Sequence, residues 1–253
     1  MPTSTPNPAL PVIVCRFLMS ALILIDLQND FLAPSAPFKV DPKSQKLLRN
    51  TLKAMIPTFR DSGGHIIWVK SHYAPNKSQT DSRDLQGASA TAGPTPADLH
   101  GTSSSPQNTP LTQYKMTGHL EWVLEGTHTG KKPCCQEGTY GAELASWTDT
   151  LRQPEDVVLI KTFFSAFKET RLEEILVERN INTLYIGGLL SNMCVLATSI
   201  NGTRIISQNG RNWEVFIITD GLAWRREESH RRALGTMEEF GVRLIGSEVL
   251  SKS

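Results

Sequence analysis

A chain of 253 residues is long enough for one large α/β domain or two small ones, and 39% hydrophobic with 20% charged residues is ordinary for a soluble globular protein. A formal net charge of +1 gives no reason to expect nucleic acid, a membrane surface or an acidic partner. Four cysteines (Cys15, Cys134, Cys135, Cys194) are too few and too scattered for a disulfide framework, so a reducing, cytoplasmic setting is the simpler expectation.

In chain order, residues 1–20 are rich in Pro and Thr, without a period, and read as a flexible tail. The apolar run at 12–18 is interrupted by Arg16 and is too short to span a bilayer. Residues 21–25 form a continuous apolar run, the pattern of a central parallel strand covered on both faces, and it ends at Asp26. A carboxylate at the carboxyl end of a buried strand is where open α/β sheets bind ligands; capping a turn or pairing with a cation is the structural alternative. Residues 43–61 read as an amphipathic helix with Leu47, Leu48, Leu52, Met55 and Ile56 on one face. Gly63 and Gly64 close it, and 65–69 is the second strand.

From about 75 to 112 the chain is Ser, Thr, Pro, Gly, Ala and Gln, a composition that reads as a flexible insertion. Its ends flank the presumed site, so an inert loop and a lid both fit. The run 126–132 has the outline of a phosphate loop but is one residue short between its glycines and lacks the Ser or Thr after lysine. The third strand, 156–160, ends at Lys161, and Thr170 is placed to cap a helix over 171–179. A strand at 183–187 breaks at Gly187 and Gly188, and an apolar-periodic helix then runs to about Ser207 with Cys194 in its first turns and Ser191 or Asn192 as cap. There the helix dipole and unpaired N–H groups favour a thiolate and can hold an oxyanion. A buried cysteine acting as a small hydrophobe is the competing reading. A strand at 214–219, a helix at 227–240 and a strand at 242–245 complete an alternation that predicts a three-layer α/β/α, Rossmann-like, mostly parallel sheet of about six strands.

Asp26, Lys161 and Cys194 thus follow strands whose carboxyl ends share one edge of the sheet. The blocks 24–31, 161–167 and 188–195 resemble those of the isochorismatase-like cysteine hydrolases, a family that includes nicotinamidases, N-carbamoylsarcosine amidohydrolases and ureidoacrylate-type amidohydrolases. The resemblance makes residues 21–253 one hydrolase domain and covers nearly all of 21–249 except the insertion. It implies an Asp26–Lys161–Cys194 triad, a cis peptide at Leu189–Leu190 and an oxyanion hole from the N–H groups of Leu190 and Cys194. It implies hydrolysis of a C–N bond in a small amide, carbamoyl or ureido compound, with vinyl ether cleavage by an isochorismatase or a non-catalytic binding role as alternatives. A homo-oligomer, dimer or tetramer, is the family's usual state. Nicotinamidases carry a metal-binding Asp-x-His after the second strand; Lys70, Ser71, His72 and Tyr73 stand there instead, so neither metal nor cofactor is expected. Phe31, His72, Tyr140, Phe164 and Trp224 are the candidate substrate-binding residues.

Overall fold

Side-chain alternation in β1 (Ser20–Ile25) sets the architecture. All six residues are buried. Ala21, Ile23 and Ile25 enter one hydrophobic cluster, whereas Leu22 and Leu24 enter another, because successive strand residues point to opposite faces. Both faces must therefore be covered, which is the condition under which a parallel sheet is stable. The computed structural model describes residues 19–73, 118–126, 133–205 and 212–251. The expectations for the tail at 1–18, Cys15, the insertion at 75–112 and most of the run at 126–132 lie outside the described residues.

Around β1 the described residues add β2 (His65–Ser71), β3 (Val157–Lys161), β4 (Thr183–Gly188), β5 (Glu214–Leu222) and β6 (Arg243–Ile245). The order is β3-β2-β1-β4-β5-β6, and every pairing is parallel. The described helices are α1 (Asn29–Leu32), α2 (Pro42–Asp61), α3 (Gly118–Glu125), α4 (Leu172–Glu178), α5 (Cys194–Arg204), α6 (Glu227–Glu239) and α7 (Glu248–Ser251). Core residues of α3, α4, α5 and α6 join the cluster on one face of the sheet, and those of α1, α2 and α7 join the other. The result is a three-layer α/β/α sandwich. Among the described residues no helix is long and apolar enough to cross a membrane.

Helix α2 shows why local sequence is enough for much of this. Asp41 caps it by accepting the Ser44 N–H at 2.9 Å, with Pro42 in the first turn. Leu48, Leu52, Met55, Ile56 and Phe59 then recur on one face and are buried, each burial worth about 1.5–3 kcal/mol. Leu47 is a correction: it is 44% exposed, because it lies one position, about 100°, off that stripe. Two more expectations change. Thr170 is not the capping residue of α4, which is Arg171, although its hydroxyl accepts the Leu172 N–H at 3.1 Å. Helix α5 ends at Arg204 rather than near 207, and neither Ser191 nor Asn192 caps it; Met193 holds that place with no side-chain bond. The Ser191 N–H instead donates to Ala223 O at 3.1 Å, which ties the turn before α5 to the end of β5.

Candidate active site

The order of strands places a topological switch between β1, which connects onward to β2, and β4, which connects onward to β5. Such a switch opens a crevice beyond the carboxyl ends of the two strands. Three features of the backbone shape it. Asp26, the residue after β1, has a φ of 56°, in the left-handed region that turns the chain out of the strand. Gly188 ends β4 with a φ of 120°, and a Cβ there would lie 2.2 Å from Ile25 O. Only glycine allows β4 to approach β1 so closely at that point. The Leu189–Leu190 peptide is cis. Among the described residues, neither the Leu190 nor the Cys194 N–H donates to a protein acceptor.

Asp26, Lys161 and Cys194 meet here. The Lys161 ammonium lies 3.2 Å from Asp26 Oδ2 and 3.2 Å from Cys194 Sγ, with Phe163 O also at 3.2 Å. All three residues are buried, the lysine and aspartate to 1% exposure and the cysteine to 6%. Burial pulls Lys161 toward its neutral form, but the charges of Asp26 and Cys194 outweigh it, and its pKa is raised. Burial and the Asp26 charge push the Cys194 thiol up to about 12, against the smaller opposing pull of Lys161. This corrects the expectation that the helix terminus favours a resting thiolate. A helix dipole is worth about 0.3–1 kcal/mol at such a position, whereas removing an ion from water costs several kcal/mol. Burial therefore raises the Cys194 pKa by more than the helix terminus can lower it.

Two residues complete the cluster that the sequence reading did not single out. Ser71 Oγ donates to Asp26 Oδ1 at 2.8 Å and accepts from Lys161 Nζ at 2.7 Å, so it bridges the ion pair. Tyr73 places its hydroxyl 3.1 Å from Ser71 Oγ, 3.5 Å from Lys161 Nζ and 3.8 Å from Cys194 Sγ. Burial raises the Tyr73 phenol well above its ordinary value, with the Cys194 and Asp26 charges adding to the effect. Gln28 latches the arrangement: its amide donates to Ser71 O and Ala142 O, both at 2.8 Å, and its Oε1 accepts the Ser71 N–H at 2.8 Å. The signal that would have found Ser71 and Tyr73 is parity. Strand β2 runs through Ser71, and the two residues on either side of His72 face the cluster of Asp26, Lys161 and Cys194.

The five candidate substrate-binding residues divide. Phe164 is buried and packs edge-on against Tyr73 at 6.5 Å, which places it one side chain from the sulfur. His72 turns the other way, toward Lys70, Glu137 and Glu143; burial and then Lys70 lower its pKa, and its Nε2 is buried with no partner among the described residues. Phe31 is core, packed on Phe38 at 6.3 Å in the α1–α2 layer. Tyr140 is 69% exposed on a one-turn helix. Trp224 stacks on His230 at 3.9 Å and accepts the Asp41 N–H at the start of α2. These four are drawn elsewhere because a sequence shows aromatic character but not the direction a side chain takes.

With the geometry established, comparison with known proteins is informative. The family model described as the Isochorismatase domain matches residues 20–119 and 111–249. A probable inactive nicotinamidase of Arabidopsis thaliana is 24% identical over 230 residues, covering 90% of this chain and 92% of that protein. The crystal structure of an isochorismatase family protein from Desulfovibrio vulgaris is similar with a TM-score of 0.63 at 22% identity, covering 92% of this chain and 96% of the other. The crystal structure of a nicotinamidase from Bacillus subtilis is similar with a TM-score of 0.60 at 21% identity, covering 89% and 98%.

Proposed function

The chain belongs to the isochorismatase family of hydrolases, and from that premise we propose that it cleaves the C–N bond of a small amide, carbamoyl or ureido compound through a Cys194 acyl-enzyme. The observation that carries this reading is the position of one ammonium 3.2 Å from both a carboxylate and a thiol, all three residues being buried.

In the proposed reaction the resting thiol keeps its proton until substrate binds. Asp26 takes that proton as the sulfur attacks the carbonyl carbon. Lys161 stays charged throughout and faces both groups, so it stabilises negative charge as it passes from the carboxylate to the sulfur side. Ser71 holds the other oxygen of Asp26 and keeps the carboxylate aimed. The oxyanion is received by the N–H groups of Leu190 and Cys194. When the tetrahedral intermediate collapses, the C–N bond breaks and Asp26 returns its proton to the leaving nitrogen. Asp26 then takes a proton from water, whose oxygen attacks the thioester; the C–S bond breaks, the acid is released, and Asp26 returns the proton to the sulfur, regenerating the thiol and the carboxylate.

The test is a hydrolysis screen of amides, carbamoyl and ureido compounds and isochorismate, run on the wild type, Cys194→Ala and Asp26→Asn. Loss of turnover in both variants, with an acyl mass increment on the Cys194 peptide of quenched wild type, is the expected outcome. If Cys194→Ala keeps near wild-type rates on the best substrate while Asp26→Asn does not, acid-catalysed vinyl ether cleavage replaces this mechanism.

A further inference from the structure

The loop entering the segment 133–139 carries Cys134 and Cys135 side by side, both free and buried, with Sγ atoms 3.6 Å apart. Adjacent residues in extended chain point to opposite sides. Cys135 escapes that rule because its φ is 48°, in the left-handed region, and both sulfurs therefore turn to one side. The Asp30 carboxylate, 105 residues away from Cys135 in sequence, meets them: its Oδ2 accepts the Cys135 N–H at 2.6 Å. One carboxylate oxygen and the two sulfurs all lie within 4.8 Å of one another. Gly141 makes room for this, since a Cβ there would fall 2.1 Å from Asp30 Oδ1. The Arg225 guanidinium lies near enough to Cys134 to interact with it electrostatically.

We infer that Asp30, Cys134 and Cys135 form a binding site for a thiophilic divalent cation of the zinc type, separate from the reacting thiol. Two thiolates on one tetrahedral zinc, with Zn–S of about 2.3 Å, stand about 3.8 Å apart, so the sulfurs already have the required spacing. Soft sulfur donors with one carboxylate select zinc-like ions over magnesium or calcium. The exchange balances: the ion enters, each thiol releases its proton to solvent, and two thiolates with a dication leave the net charge of the buried pair unchanged. The carboxylate and Arg225 bring one charge of each sign. Histidine spacing in the sequence gives no hint of this site, because it contains no histidine and its members come together only in the fold.

The ion would also reach the candidate active site through the backbone. Cys135 O accepts the Tyr73 N–H at 3.3 Å, so fixing Cys135 fixes the strand end that carries Tyr73.

The experiment uses the full chain with Cys15→Ser and Cys194→Ala, which leaves Cys134 and Cys135 as the only thiols. Cadmium chloride is titrated while the near-ultraviolet sulfur-to-cadmium charge-transfer band and the bound-metal stoichiometry are followed, with zinc chloride as competitor. We expect one cadmium per chain, displacement by zinc, two protons released per ion and a rise in melting temperature. Cys134→Ser or Cys135→Ser, each checked for native circular dichroism, should weaken cadmium binding about a hundredfold or more and abolish the band. Asp30→Asn, which can still accept the Cys135 N–H, should keep the band and weaken binding about tenfold. No band at stoichiometric cadmium, or a band surviving in the Cys134→Ser/Cys135→Ser chain, would overturn the site. So would isolation of the pair as a disulfide that binds no metal after reduction.

Discussion

Strand β3 has an ion pair at each of its ends, one partly buried and one fully buried, and their surroundings differ. Before its first residue, Asp156 accepts two bonds from Arg60 at 2.9 and 3.0 Å, one from Trp68 Nε1 at 2.8 Å and one from the Gln153 N–H at 3.0 Å. Every strong direction of that carboxylate is filled, and among the described residues no nucleophile touches it. At the other end Lys161 meets Asp26, but the partners of this pair include a thiol and two hydroxyls that can move protons. An ion pair at the end of a strand is therefore not by itself a sign of chemistry. What separates the two is the thiol and the hydroxyls that lie against the second pair.

The comparison can be broken most sharply at Cys194. Cys194→Ala should lower kcat/KM for an amide or ureido substrate by about 10⁴-fold or more while changing unfolding free energy by less than about 1 kcal/mol. Denaturant unfolding beside steady-state kinetics checks both halves, and retained turnover would place the chemistry elsewhere. Lys161→Ala should act differently, because it strands the Asp26 charge in a dry crevice. Its stability should fall by about 3–5 kcal/mol in addition to the loss of turnover.

Asp156→Asn probes the other end of the same strand. It removes the charge that holds Arg60 and Trp68, and should cost about 1–3 kcal/mol of stability, with kcat of the folded variant unchanged. Arg60 can turn to water more readily than Lys161, since its side chain is 18% exposed against 0% for the lysine, and this is why the smaller loss is expected. A fall in kcat without a fall in stability would mean that the two ends are coupled.

Per pH unit the smallest effect is the dependence on pH itself, and its sign follows from the raised pKa values. Unfolding frees the Cys194 thiol to ionise near its ordinary value of 9.0, whereas the folded thiol holds its proton to about 12. The unfolded chain therefore binds fewer protons across that window, and stability falls as pH rises through it, by at most about 1.4 kcal/mol per pH unit for this group. Lys161 and Tyr73, both raised, act in the same direction. Melting curves recorded from neutral to alkaline pH should show a shallower decline for Cys194→Ala than for the wild type. Identical slopes would show that the thiol ionises normally in the folded chain.

The sequence by itself was enough for the alternation of strands and helices, the buried face of α2 and the identity of the groups at three strand ends. These depend on residue spacing within a single segment, and parallel strands put their carboxyl ends together whatever the distance along the chain. Tertiary structure decided what spacing cannot carry. It showed that Ser71 and Tyr73 face Asp26, Lys161 and Cys194 while His72 faces away, because the strand continues further than its apolar run. It turned Phe31, Tyr140 and Trp224 into core, surface and a stacking partner, because aromatic character leaves direction open. It raised the pKa of Cys194, because the desolvation responsible is a property of everything packed around the thiol. It brought Asp30 to Cys134 and Cys135, since that meeting depends on the path of the whole chain between them and not on any local pattern.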